Sequence, residues 1–110
     1  MQFESISTQE ELILLAIAVL YPGAYAYSIQ KEIKSEFGTS LALGTIHTIL
    51  YRLENKELLK SEMGGSDSKR GGRSKRLYTL SNKGFELIRE IQIARQAMWT
   101  RISTMKNAYN

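Results

Sequence analysis

Cysteine is absent and histidine occurs once, as His47. Without thiols there is no disulfide framework, no thiolate nucleophile and no zinc site of the cysteine kind, and a lone imidazole leaves most histidine-based metal centres short of ligands. No nucleophile and base stand at a usable spacing, and no Gly-Lys-Ser/Thr ending closes a phosphate loop. We therefore expect no catalytic residues, no metal and no cofactor. Proline is as scarce, with Pro22 alone, followed by Gly23. Long apolar runs are missing too. The longest, LILLAIAVLY at 12–21, reaches about half of what a membrane-spanning helix needs. It follows QEE, with no basic flank and no small-residue cleavage signal of a secretory leader. The expectation is a cytoplasmic protein without a membrane partner.

What is present fits one small domain. The chain has 110 residues, 43% of them apolar and 24% charged, which is ordinary for a globular protein. The charge is informative once it is located. Between Lys60 and Arg76 stand six basic residues against two acidic ones, which accounts for the whole formal excess of +4; the remaining positions hold nine of each sign. Within that segment, GGSDSKRGGRSKR at 64–76 holds half of the eight glycines together with Lys69, Arg70, Arg73, Lys75 and Arg76. A flexible, positive loop suits a polyanion, although solvated basic runs also occur on ordinary surfaces.

The flanking pattern gives this loop a setting. STQEELILLAIAVL predicts a buried first helix with Ser7 or Thr8 as N-cap and Glu10 and Glu11 at its dipole-favoured start. AYSIQKEIKSEF predicts a second, with Tyr25, Ile29, Ile33 and Phe37 recurring every fourth residue and Gly38 as its stop. GTIHTILYRLENKELL predicts a third, buried along Ile46, Ile49, Leu50 and Leu53. Its opposite face carries Thr45, Thr48, Tyr51, Arg52 and Asn55, with His47 on the flank. Two short strands, LLKSEM and RLYTL, then enclose the basic loop. Tyr21, Tyr25 and Tyr27 are assigned to packing between the first two helices.

Two helices joined by a short turn, followed by a hairpin with a basic tip, is the order of a winged helix-turn-helix. The expected fold class is mainly α with a small β-hairpin, an α+β arrangement. In that arrangement the third helix enters the major groove by its N-terminal residues and the wing meets backbone or minor groove. The last segment, from Asn82 to about Ala108 behind Ser81 as N-cap, predicts a helix of about 40 Å. That is more than so small a domain can cover. Ile88, Ile91, Met98, Ile102, Met105 and Tyr109 follow a 3,4 spacing interrupted by Arg95, which predicts a dimer seam; the alternative is a helix folded back on its own domain. The organisation expected is residues 1–80 for DNA binding and 81–110 for dimerisation.

ALGTIHTILYRLENKELLKSEMG followed by SKRLYTLSNKG resembles the PadR family of bacterial and archaeal transcriptional regulators. The matching residues are Gly44, Thr45 and Ile46, then Leu50 to Glu54, and later Tyr78, Leu80 and Gly84. His47 stands where that family usually has tyrosine, Ala42 and Leu43 where a capping serine or asparagine is frequent, and Leu77 where an aromatic residue is usual. Lys56-Glu57 replaces a charged residue followed by glycine. The resemblance implies a homodimeric repressor on double-stranded DNA. The DNA-facing set is then Gly44, Thr45, His47, Thr48, Tyr51 and Arg52 on the helix, with Lys69, Arg70, Arg73, Lys75 and Arg76 on the wing. It also implies a flat aromatic effector between the C-terminal helices at Trp99, beside Met98 and Ile102. The other reading of Trp99 is packing in the dimer seam. The rival for the whole chain is a winged-helix protein-interaction module whose basic wing docks an acidic partner.

Overall fold

The protein is described by a computed structural model covering residues 5–64, 75–105 and 108. Helix α1 spans Thr8–Leu20 and starts at a reciprocal cap. The Glu10 N–H donates to Ser7 Oγ at 3.1 Å and the Ser7 N–H donates to Glu10 Oε1 at 2.8 Å, so two otherwise orphaned donors are satisfied. Helix α2 spans Ala26–Phe37, as its periodicity predicts. Gly38 ends it in the left-handed region (φ 69°), its N–H donating to the Lys34 carbonyl at 2.9 Å. Gln30 Nε2 then donates to the Leu41 carbonyl at 2.8 Å, which pins the turn into the next helix.

Helix α3 spans Leu43–Asn55, so the expected continuation through KELL does not form. The chain leaves the helix at Glu57, whose φ of 62° is left-handed. This is the position where the resemblance leads one to expect glycine. A non-glycine residue there costs about 1 kcal/mol, and the surrounding hydrogen bonds over-determine the turn. Strand β1 (Leu59–Gly64) pairs antiparallel with β2 (Lys75–Leu80), in register from Leu59↔Leu80 to Gly64↔Lys75. The Tyr78 N–H donates to the Ala24 carbonyl at 2.9 Å, which ties the hairpin to the link between α1 and α2.

Helix α4 spans Asn82–Met105, with Ser81 Oγ accepting from the Gly84 N–H at 3.0 Å. The result is mainly helical α+β, four helices and a two-stranded hairpin among the described residues. Ile13, Ile17, Ile29, Ile46, Leu50 and Leu53 are wholly or almost wholly buried at the centre. Truncating such a side chain to alanine typically costs about 2–5 kcal/mol, so the inward stripe of α3 holds its outward stripe in place. From α4 only Leu87 and Ile88 enter this core, with Ile91 packed at its edge. The distal half of the helix runs on without domain contacts to cover it, and the molecule measures 60 × 31 × 21 Å.

Glu10 is the one buried charged residue among the described ones. Its Oε2 lies 3.4 Å from Lys56 Nζ and 3.6 Å from Arg52 Nη1, so the start of α1 holds the end of α3. Burial opposes its charge, but the Ser7 N–H and Lys56 outweigh that and lower its pKa below the ordinary 4.5. A lowered carboxylate pKa contributes stability that is present above the unfolded value and lost as pH falls through the folded one. Glu10→Gln should therefore melt below wild type at pH 7, by the roughly 4–8 °C that about 1 kcal/mol represents in a domain of this size. Thermal melts at pH 7 and at lower pH check this: the gap should narrow as pH falls below the ordinary carboxylate range, and a gap independent of pH would place the loss in packing rather than charge.

Candidate nucleic-acid interface

The face of α3 turned away from the core is built by its 3.6-residue period. With Ile46, Ile49, Leu50 and Leu53 inward, Gly44, Thr45, His47, Thr48, Tyr51 and Arg52 are all exposed. Tyr51 stands 72% exposed, a large ring on the outer surface. Thr48 Oγ1 donates to the Gly44 carbonyl at 3.0 Å, which leaves its methyl and its oxygen lone pairs for a partner. Around Gly44 a Cβ would meet nothing within 4 Å. The fold does not require glycine there, whereas a partner's backbone approaching the helix would.

The wing base lies beside this helix. Arg76 Nη1 donates to Ser61 Oγ at 2.9 Å, and Ser61 Oγ donates to Glu54 Oε2 at 2.8 Å, so the hairpin is laced to α3. Lys75 Nζ sits 4.2 Å from the centre of the Tyr25 ring, a cation–π contact that presents its charge near the start of α2. Between the α2 start, the α3 start and β2 runs an open cleft of about 260 Å³, walled by Tyr25, Tyr27, Leu43, His47 and Tyr78 and rimmed by Lys75 and Arg76. Burial raises the Tyr78 phenol above its ordinary pKa despite the nearby Arg76 charge, so the buried side of the cleft is a neutral hydroxyl.

The structure thus brings His47, Lys75 and Arg76 together, with Thr45, Thr48 and Tyr51 on the same helix. Arg52 differs: its guanidinium reaches back to Glu10 and is half exposed, so it is held near the end of α3. Lys69, Arg70 and Arg73 lie outside the described residues. Tyr25 and Tyr27, expected to pack α1 on α2, instead line this cleft. Tyr25 starts α2 and carries Lys75, while Tyr27 is 47% exposed and Tyr21 68%. The only sequence signal was their place at the start of a helix that a short turn sets before α3.

At the other end, Met98 and Trp99 are each 65% exposed, with Ile102 and Met105 about half exposed. Ile88 belongs to the domain's own core and Ile91 to its edge, so of the residues expected in a dimer seam only those beyond Arg95 are left exposed. Arg95 itself donates to Glu11 at 2.6 Å, which fastens the middle of α4 to α1. Among the described residues no helix is long and apolar enough to cross a membrane.

Residues 14–90 match the transcriptional regulator PadR-like family. The chain belongs to that family. It is a family of transcriptional regulators. A PadR-like transcription factor from Bacteroides fragilis is 26% identical, with a TM-score of 0.65 over 93% of this chain and 89% of that one. Two less similar structures share the fold and were solved on DNA. Bacillus subtilis PadR with operator DNA has 22% identity and a TM-score of 0.65, covering 79% of this chain and 48% of that one. Streptococcus pneumoniae FabT with DNA has 23% identity and a TM-score of 0.71, covering 94% and 64%. The chain therefore spans about half the length of the Bacillus subtilis protein. No curated protein matches it by sequence.

Proposed function

We propose that this PadR-like chain is a sequence-specific DNA-binding regulator that acts as a homodimeric repressor on an inverted repeat. The observation that carries the reading is the placement of Gly44, Thr45, His47 and Tyr51 on one exposed helix face beside Lys75 and Arg76. The α3 start would enter the major groove, where hydroxyls and imidazole suit base edges, while Lys75 and Arg76 at the wing base contact phosphate. The two B. subtilis and S. pneumoniae complexes with DNA support that use of the shared fold. Residues 1–80 carry the contacts and 81–110 the pairing, through Met98, Ile102 and Met105.

Two recognition helices joined in this way read half-sites about one turn, roughly 34–36 Å, apart. Blocking promoter DNA gives repression. A flat aromatic effector at Trp99 would relieve it by binding better to one spacing of the helices than to the other. Selection of duplexes from a random pool, with the mass in solution recorded, tests the reading. An enriched inverted repeat from a particle of twice the 12.5 kDa chain mass is expected. A pool that stays random would instead make the basic wing a docking surface for an acidic partner and end the regulator reading.

A further inference from the structure

The start of α4 is locked to the end of α3 through three consecutive carbonyls. Lys83 Nζ donates to the Lys56 carbonyl at 3.1 Å, Ser81 Oγ to the Glu57 carbonyl at 2.7 Å, and the Ser81 N–H to the Leu58 carbonyl at 3.1 Å. These carbonyls belong to the turn that directly continues α3. The joint is also sterically closed. A Cβ on Gly84 would overlap the Leu58 carbonyl oxygen and stand 3.0 Å from its carbon, and backbone cannot rotate out of the way as a side chain can. Gly84 is buried, and its φ is not left-handed. Close approach, not backbone freedom, is what glycine provides here.

We infer that Gly84 is a positioning residue for DNA binding: by seating α4 directly on the α3–β1 turn it fixes the angle between the recognition helix and the pairing helix, and so sets the half-site spacing the dimer reads. This rests on the dimeric reading above. The lever is long. Helix α4 has 24 residues. At about 1.5 Å per residue, a tilt of about 10° at its base carries the far end about 6 Å. Successive base pairs are about 3.4 Å apart, so such a tilt is worth one to two base-pair steps of spacing. The second fastening, Arg95 on Glu11, keeps the first half of α4 moving with the domain, so that the angle set at Gly84 is delivered to Met98 and beyond.

The test uses the full chain and the duplex enriched by selection, remade with the spacer between half-sites one and two base pairs shorter or longer. Affinities for this panel are measured for wild type, Gly84→Ala and Ser81→Ala, with solution mass alongside. Ser81→Ala removes one hydrogen bond of the joint, to the Glu57 carbonyl, together with the cap on the Gly84 N–H, without adding volume, so it reports even if Gly84→Ala fails to fold. Wild type should favour one spacer by about tenfold, the loss expected when a base contact in one half-site goes out of register. Dimeric variants whose optimum moves, or whose preference flattens to within about twofold, would bear the inference out. Dimeric variants that keep the wild-type optimum, whatever their absolute affinity, would overturn it. A wild type of single-chain mass would remove the dimeric reading itself, and the mass distinguishes that failure from the other.

Discussion

Replacing Gly44 by glutamate leaves the fold intact and lowers affinity for the selected duplex by about a hundredfold or more. The two halves of this expectation have separate causes. At position 44 an added Cβ meets nothing within 4 Å beyond its chain neighbours and its own helix backbone, so a side chain there starts into open space. A surface change of that kind stays within about 0.5 kcal/mol, and an acid in the first turn of α3 favours the helix dipole. On DNA the same carboxylate would stand against phosphate or base-edge acceptors. Placing like charge in an interface costs several kcal/mol, and about 2.7 kcal/mol is already a hundredfold.

Gly44→Ala separates volume from charge. It adds one methyl group, raises helix propensity, and should cost far less affinity than the acid. Melting curves beside binding curves check both variants. Unchanged affinity in Gly44→Glu would move the interface away from the start of α3. An equal loss in melting temperature would make position 44 structural after all.

Helix α2 was largely legible from local rules: Gly38 marks the stop, and of the four-residue spacing Ile29 and Ile33 are buried, whereas Tyr25 and Phe37 at its two ends stay outside the core. Ser7 and Glu10 at the start of α1 were legible for the same reason, a cap written within four residues. The end of α3 was not. Lys56 and Glu57 are good helix formers and Leu58 falls eight residues after Leu50, so no glycine or proline marks the exit at Asn55. The helix ends in a left-handed cap at Glu57, whose N–H donates to the Glu54 carbonyl at 2.9 Å while the Leu58 N–H donates to the Leu53 carbonyl at 3.0 Å, and Ser81, more than twenty residues on, claims the Glu57 and Leu58 carbonyls.

The outward face of α3 followed from its period, whereas two of its surroundings did not. Arg52 looked free for phosphate because Glu10 lies 42 positions earlier, and only the fold sets them 3.6 Å apart. The tyrosine cleft is equally non-local, since Tyr25 and Lys75 come from opposite sides of α3 in the chain. Sequence periodicity tells which side chains leave the core. It cannot tell which distant ones they meet.

Ile102→Asp should reduce the particle to one chain and lower affinity for a two-half-site duplex by about 10²–10⁴-fold, while binding to a single half-site hardly changes. The side chain is 48% exposed and outside the domain core, so the substitution leaves the winged helix itself folded. What it removes is apolar contact in the pairing of two copies, with a buried charge left in its place. Once two copies are linked, the second half-site is bound from an effectively intramolecular position, and that advantage is of the order stated. Ile88 would be the wrong residue for this experiment, because it is buried in its own domain and its loss would report on folding. Sedimentation or light scattering gives the mass, and paired duplexes give the affinities. A dimer that survives Ile102→Asp would place pairing elsewhere, and the exposed Met98, Trp99 and Met105 would then need another partner. A monomer that still binds the full duplex like wild type would show that each domain acts alone, and the inverted repeat would no longer follow from the long helix.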